Sequence, residues 1–214
     1  MINHEEIKDL VSEWGLREDV IEKDYVIGWI LWGISTSDEL KSSWAFKGGT
    51  CLKKCYIDTY RFSEDLDFSV LPNGPVKPEE LEPIINQILQ RVHEESGIDF
   101  SIKQPSFKYF SHHHYTEGSI YYRGPRNAPT PARIKLDIAG NEKIIRPTVL
   151  RGVIHSYSDE LPKTAKVRCY AFDEIFAEES EQWGKGVDRV IYTTLFYYLV
   201  EMTFKQNQNI SKLF

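Results

Sequence analysis

The chain has 214 residues, of which 41% are hydrophobic and 13% aromatic, enough to build a packed core in one large domain or two small ones. The formal net charge of -6 argues against nonspecific coating of nucleic acid but leaves room for a local basic face. The longest apolar run, around Val26 to Ile34, is too short and too broken by glycine to span a membrane, and the polar start MINHEEIKDL is not a signal peptide. Cys51, Cys55 and Cys169 make an odd count with no disulfide framework, which points to a reducing cytoplasm.

In chain order, residues 4–14 and 18–35 read as helices. The second carries Val20, Ile21, Tyr25, Ile27, Trp29, Leu31 and Trp32, too dense a set for a surface helix, so burial is expected. SWAFKGG reads as a short strand entering a turn. TCLKKCYI has helical spacing, with Thr50 as N-cap. DLDFSVL reads as a strand stopped by PNGP. The stretch 77–97 is a helix with an acidic start and apolar positions at Leu81, Ile84, Ile85, Ile88, Leu89 and Val92, ending at Gly97. The period then shortens. IDFSIK, SFKYFSH, GSIYYRG and ARIKLDIAG read as strands, PRNAPTPA as a loop, KVRCYAF as a last strand and DEIFAEES as the start of a helix. The pattern is α+β, a mixed sheet flanked by helices, with the N-terminal helices packed on the core.

The chemistry concentrates between residues 44 and 70. Alternate residues of a strand share a face, so Asp65 and Asp67 point the same way. Carboxylates that close repel unless a cation sits between them. Mg²⁺, or Mn²⁺, suits their hard oxygens and retains substrate phosphates as further ligands. Asp137, an acid inside the apolar strand RIKLDIAG, is the candidate third carboxylate, since an unpaired charge there is costly. Gly48 and Gly49 permit a turn close to a phosphate, and Thr50 opens a helix whose first amides favour anions. A lone Gly-Gly-Thr is a common turn and a lone Asp-x-Asp is often a solvated strand end. In this order, with a third acid, they read as a triphosphate cradle followed by a metal pair.

These residues, FKGGTCLKKCY and RFSEDLDFSV together with EKDYVIGWIL, RIKLDI and YAFDEIFAE, resemble in the same order the nucleotidyltransferase family of AbiEii/AbiGii-type toxins, within the polymerase-beta-like nucleotidyltransferase superfamily. The resemblance covers roughly residues 10 to 180. It implies a nucleotidyltransferase-type mixed sheet, metal-dependent transfer of a nucleotidyl group from a nucleoside triphosphate, and a toxin role beside a cognate antitoxin. Some relatives modify tRNA ends. It implies that Gly48, Gly49 and Thr50 hold the triphosphate, that Asp65 and Asp67 bind metal, and that Asp137 is the third acid. It also places Lys53, Arg61 and Ser63 near phosphate or ribose. Lys23 and Asp24 match the family's EKD without an assigned role.

The resemblance stops near residue 178, so the chain divides into a nucleotidyltransferase-like part, 1–178, and an atypical tail, 179–214. The family pattern continues with a lysine and then a helix ending in an arginine-aspartate signature. Here Glu179 takes the lysine position. Written in suitable codons and shifted in frame, Gly186 to Thr194 reads Gly-Arg-Pro-Arg-Asp-Leu-Tyr-Asp, so a frameshift is the hypothesis for this tail. The codons of the gene decide it: if no alternative frame yields that string, the idea fails. Loss of the lysine would remove a positive charge from the transition state.

Two further features have two readings each. Lys103, Lys108, Arg123, Arg126, Arg133, Lys135, Lys143, Arg146 and Arg151, interleaved with aromatics, form either an RNA-facing surface or the outward side of alternating strands. Arg133 and Lys135 share the strand face of Asp137, within reach of a phosphate. His112 and His114 read as a solvated loop rather than a zinc site, and Cys51 and Cys55, lacking a second ligand pair, as packing residues. The leading expectation is an enzyme that transfers a nucleotide to an RNA end, tRNA included, or to a protein hydroxyl. The rivals are a disabled relative that binds nucleotide or antitoxin, and a nucleotidyltransferase acting on a small molecule.

Overall fold

The computed structural model describes residues 1–58, 64–162 and 165–183. Its contacts form two compact units, Met1–Phe176 and Ala177–Phe214. Helix α1 (His4–Trp14) starts at Asn3, whose side chain accepts from the Glu6 amide at 2.9 Å, and stops at Gly15 in the left-handed region. Helix α2 (Glu18–Thr36) is buried without a break from Asp24 to Ile34, as its dense apolar sequence requires. Helix α3 (Asp38–Ser43), capped by Ser37, was not expected from the sequence.

Strand β1 (Trp44–Lys47) enters helix α4 (Gly48–Cys51), which widens into a π-helical turn over Leu52–Tyr56. Thr50 is therefore not an N-cap. Lys47 precedes the helix, with no side-chain cap, and Thr50 lies inside it. Strand β2 (Asp65–Val70) follows, then helix α5 (Pro78–Ser96), opened by Glu80 accepting from the Lys77 amide at 3.1 Å and closed by Gly97. The remaining strands are β3 (Ser106–Phe110), β4 (Tyr115–Tyr122), β5 (Ala132–Ala139), β6 (Val149–Gly152) and β7 (Lys166–Cys169), ahead of α6 (Phe172–Trp183). The stretch 98–103 is not a strand; it makes one isolated bridge, Asp99 to Arg123. Strand β6 carries no alternating pattern by which its sequence would announce a strand.

All the described strands form one sheet, in the order β3-β4-β5-β2-β1-β7-β6. β2 runs antiparallel to β1 and parallel to β5, so the sheet is mixed. Register then sets the faces. Leu66, Phe68, Ile120, Tyr122, Ile134, Leu136 and Ile138 are buried on one side, with α2 and α5 contributing Tyr25, Ile30, Ile85 and Val92 to the same core. Full burial of such a side chain stabilises by roughly 1.5–3 kcal/mol. The alternate residues, Asp65, Asp67, Lys135, Asp137 and Glu117, emerge on the other side.

Candidate functional site

Pairing of β2 with β5 sets Asp65 beside Lys135 and Asp67 beside Asp137. Pairing of β4 with β5 sets Glu117 opposite Asp137, and pairing of β1 with β2 sets Lys47 opposite Asp67. The three acids expected from the sequence are thus on one face of neighbouring strands. Asp65 is exposed, and Asp67 and Asp137 are half-buried.

Asp137 is not alone in its apolar strand. Lys135 donates to its Oδ2 at 2.8 Å and the Tyr115 hydroxyl donates to its Oδ1. The hydrogen bond to Asp137 holds the Lys135 ammonium above its ordinary pKa, and burial, together with the same carboxylate, pushes the Tyr115 hydroxyl up. Beside Asp67, Lys47 meets Glu142 at 2.6 Å, Glu142 accepts from the Ser69 hydroxyl, and Tyr170 donates to Ser69 at 2.8 Å. Lys47, Tyr115 and Glu142 were not singled out in the sequence. The adjacency of Lys47 to Gly48 was the one available signal; Tyr115 reaches Asp137 through the pairing of β4 with β5, and Glu142 reaches Lys47 and Ser69 from the loop after β5.

Gly48 has a φ of +76°, and a Cβ there would stand 2.8 Å from Oδ2 of Asp67. Glycine is demanded twice over, by the backbone and by the carboxylate against it. The Thr50 hydroxyl donates to the Asp65 carbonyl at 2.6 Å and is buried, so it braces the turn against β2 and only its main chain is left for a ligand.

Lys53 is buried, 3.8 Å from Asp24 and 3.7 Å from Asp58, and burial lowers its pKa. Asp24 in turn accepts from Lys54 at 3.0 Å and from the Tyr157 hydroxyl at 2.9 Å, while Lys23 pairs with Glu64 just before β2. The EKD segment therefore pins α2 to the turn after the glycines. Arg61 and Ser63 lie outside the described residues, as does the tail beyond 183. Among the basic residues, Arg126 bonds Glu18 and Glu22, Arg146 pairs with Asp173, and Arg151 lies over Tyr56. Arg133 is exposed on β5, and Lys103 and Lys108 sit over Tyr121 and Phe110. His114 bonds the Tyr109 hydroxyl at 2.7 Å.

A cavity of about 530 Å³ opens next to Asp137, lined in part by Phe110, Tyr115, Glu117, Ala139 and Glu142. The donor set is carboxylate oxygen throughout, on strands in register, and it has already drawn a cation, the Lys135 ammonium, from its own strand. Such a set fits a hard divalent ion.

Comparison with known proteins follows the same direction. The family model described as nucleotidyl transferase AbiEii toxin, type IV toxin–antitoxin system, matches residues 29–178. Among solved structures, MenT4, a nucleotidyltransferase toxin from Mycobacterium tuberculosis H37Rv, is similar with a TM-score of 0.52 and 19% identity, over 83% of this chain and 58% of that one. The likeness is one of fold, and the chain spans a little over half the length of that structure. Comparison with the curated proteins gives no match. No helix among the described residues is long and apolar enough to cross a membrane.

Proposed function

The chain belongs to the AbiEii nucleotidyl transferase toxin family, and from that premise we propose that it transfers a nucleotidyl group from a nucleoside triphosphate to a hydroxyl, with an RNA end, tRNA included, as the acceptor and a cognate antitoxin as partner, in the reducing cytoplasm. The observation that carries this reading is the register that lines Asp67 up with Asp137, with Asp65 on the same face and Gly48 against the Asp67 carboxylate.

Asp65, Asp67 and Asp137 hold a divalent cation, Mg²⁺ or Mn²⁺, which when bound neutralises phosphate charge and lowers the pKa of an attacking oxygen. Gly48, Gly49 and the main chain of Thr50 receive the triphosphate. The Asp137 carboxylate accepts the proton of the acceptor hydroxyl as its oxygen bonds to the α-phosphorus. The bond from the α-phosphorus to the bridging oxygen breaks and pyrophosphate leaves. Proton acceptance by a positioned carboxylate contributes on the order of 10²–10⁴ in rate. Lys135, hydrogen-bonded to Asp137 while no substrate is present, turns to a phosphate oxygen when the triphosphate arrives, which opens Oδ2 for the proton. Arg133, on the same face, supports the departing pyrophosphate. The cavity beside Tyr115 and Phe110 receives the acceptor or the base.

A second reading has its own observation: Glu179 stands where the family resemblance expects a lysine, so the chain binds nucleotide or antitoxin without turnover. One experiment separates the two. The purified chain is incubated with each α-labelled nucleoside triphosphate, Mg²⁺ and total tRNA, beside an Asp65→Ala/Asp67→Ala control. Label on RNA that the control abolishes supports transfer. Triphosphate binding with no label on RNA, protein or small-molecule acceptors supports the second reading, and absence of both overturns the site.

A further inference from the structure

The chain contains three cysteines, and all three converge. Cys51 ends α4, Cys55 lies within the π-helical turn and Cys169 ends β7, beside Phe46 of β1. Their sulfurs all lie within 4.8 Å of one another, and the residues are 0%, 3% and 0% exposed. We propose that these three thiols form a binding site for a thiophilic metal ion of the zinc type, separate from the carboxylate site.

The chemistry is selective. Sulfur ligands favour zinc-like and softer ions over the hard ions that carboxylates take. Zn–S bonds of about 2.3 Å place the three sulfurs of a trigonal arrangement about 4.0 Å apart. The cluster is therefore assembled to within less than about 1 Å of a coordinating geometry. Helical residues four apart share a face, and the wider π turn brings Cys51 and Cys55 onto the same line. Placing Cys169 against them requires the β1–β7 pairing, so the site exists only in the folded chain.

Binding is a proton exchange without redox change: three thiols lose their protons to solvent as three metal–sulfur bonds form, leaving one negative charge on a divalent complex. Positive groups stand close by. Arg151 donates to the Cys55 carbonyl at 3.2 Å, and Lys54 is the neighbouring residue in the turn. Hydrogen bonds from Cys169 and Cys51 hold the Cys55 thiol below its usual range, while burial pushes Cys51 up. A bound ion ties the segment directly after Gly48–Thr50 to β7.

The test uses the full chain, reduced and stripped of metal, titrated with Cd²⁺. It is read by thiolate-to-metal absorption and by native mass spectrometry. One ion per chain, saturating at one equivalent, displaced by Zn²⁺ but not by excess Mg²⁺, is expected. Loss of an outer-shell partner costs about 10–100-fold in affinity, so Cys169→Ser, which removes a direct ligand, weakens binding at least about tenfold. Should that variant fail to fold, stoichiometry in the unaltered chain still decides. Absence of thiolate-to-metal absorption together with absence of a bound ion in the native mass spectrum overturns the site. Either result leaves the carboxylate site untouched.

Discussion

Charged residues occupy both sides of the sheet, and the two sides treat them differently. On the helical side, Asp24 is buried and receives Lys54, Tyr157 and the approach of Lys53, all from its own chain. On the open side, Asp65 is exposed and Asp137 is held by Lys135, whose side chain is itself 37% exposed. Removing a charge from water costs several kcal/mol, which permanent partners must offset, so the buried set is committed to structure. The open set keeps water as an alternative and exchanges partners at little cost. The same residue types thus serve as a rivet on one side and as a receptive surface on the other, and burial makes the difference.

The contrast breaks most sharply at Asp24. Asp24→Ala leaves the Lys54 ammonium buried without its anion and is expected to cost about 3–5 kcal/mol, read by denaturant unfolding. A loss below about 1 kcal/mol would place Asp24 with the solvated acids. Asp67→Ala is the opposite case. Stability stays within about 0.5 kcal/mol, while nucleotidyl transfer falls on the order of 10²–10³-fold, measured with labelled triphosphate. Gly48→Ala touches both behaviours, because it strains the positive φ by roughly 1–2 kcal/mol and pushes a methyl into the Asp67 carboxylate. A variant as stable and active as the parent would show that the turn does not need glycine.

The smallest effect sharpens the comparison through pH. His155 is buried beside Tyr25 and Asp159, and burial lowers its pKa from 6.5 despite the Asp159 carboxylate. A depressed folded pKa means that the unfolded chain binds the proton more readily. The stabilisation is therefore complete above about pH 6.5 and is lost as pH falls toward the folded value. Unfolding free energy should decline from about pH 7.5 to about pH 5.5, and His155→Phe should flatten that decline. An unchanged slope in the variant would assign it to other groups.

The sequence showed the acids clearly, because strand alternation puts Asp65 and Asp67 on one face whatever the rest of the fold does. It showed α2 and α5 equally well, since their apolar spacing leaves no alternative. It did not foresee where the side chains of Thr50 and Lys53 go: Thr50 donates to the Asp65 carbonyl, and Lys53 lies beside Asp24 and Asp58. Local pattern carries no knowledge of those distant partners. The thiol cluster was hidden for the same reason: Cys169 reaches Cys51 only through a pairing of β1 with β7 that no spacing rule encodes. The short β6 went unread because its exposed Leu150 and Val149 give no alternation.

Strand β2 stands in the middle of the sheet, with three described strands on either side. Fraying in a sheet begins where amides lack a neighbour and moves inward. Leu66 and Phe68, between the site aspartates and just beyond them, are buried in the strand that β1 and β5 flank, so their amides open only with the whole fold. Asp65 and Asp67 are thus mounted on the strand that fraying from either edge of the sheet reaches last. Substitutions that loosen β3 or β6 can accumulate at the rim while the spacing of the carboxylates stays in calibration.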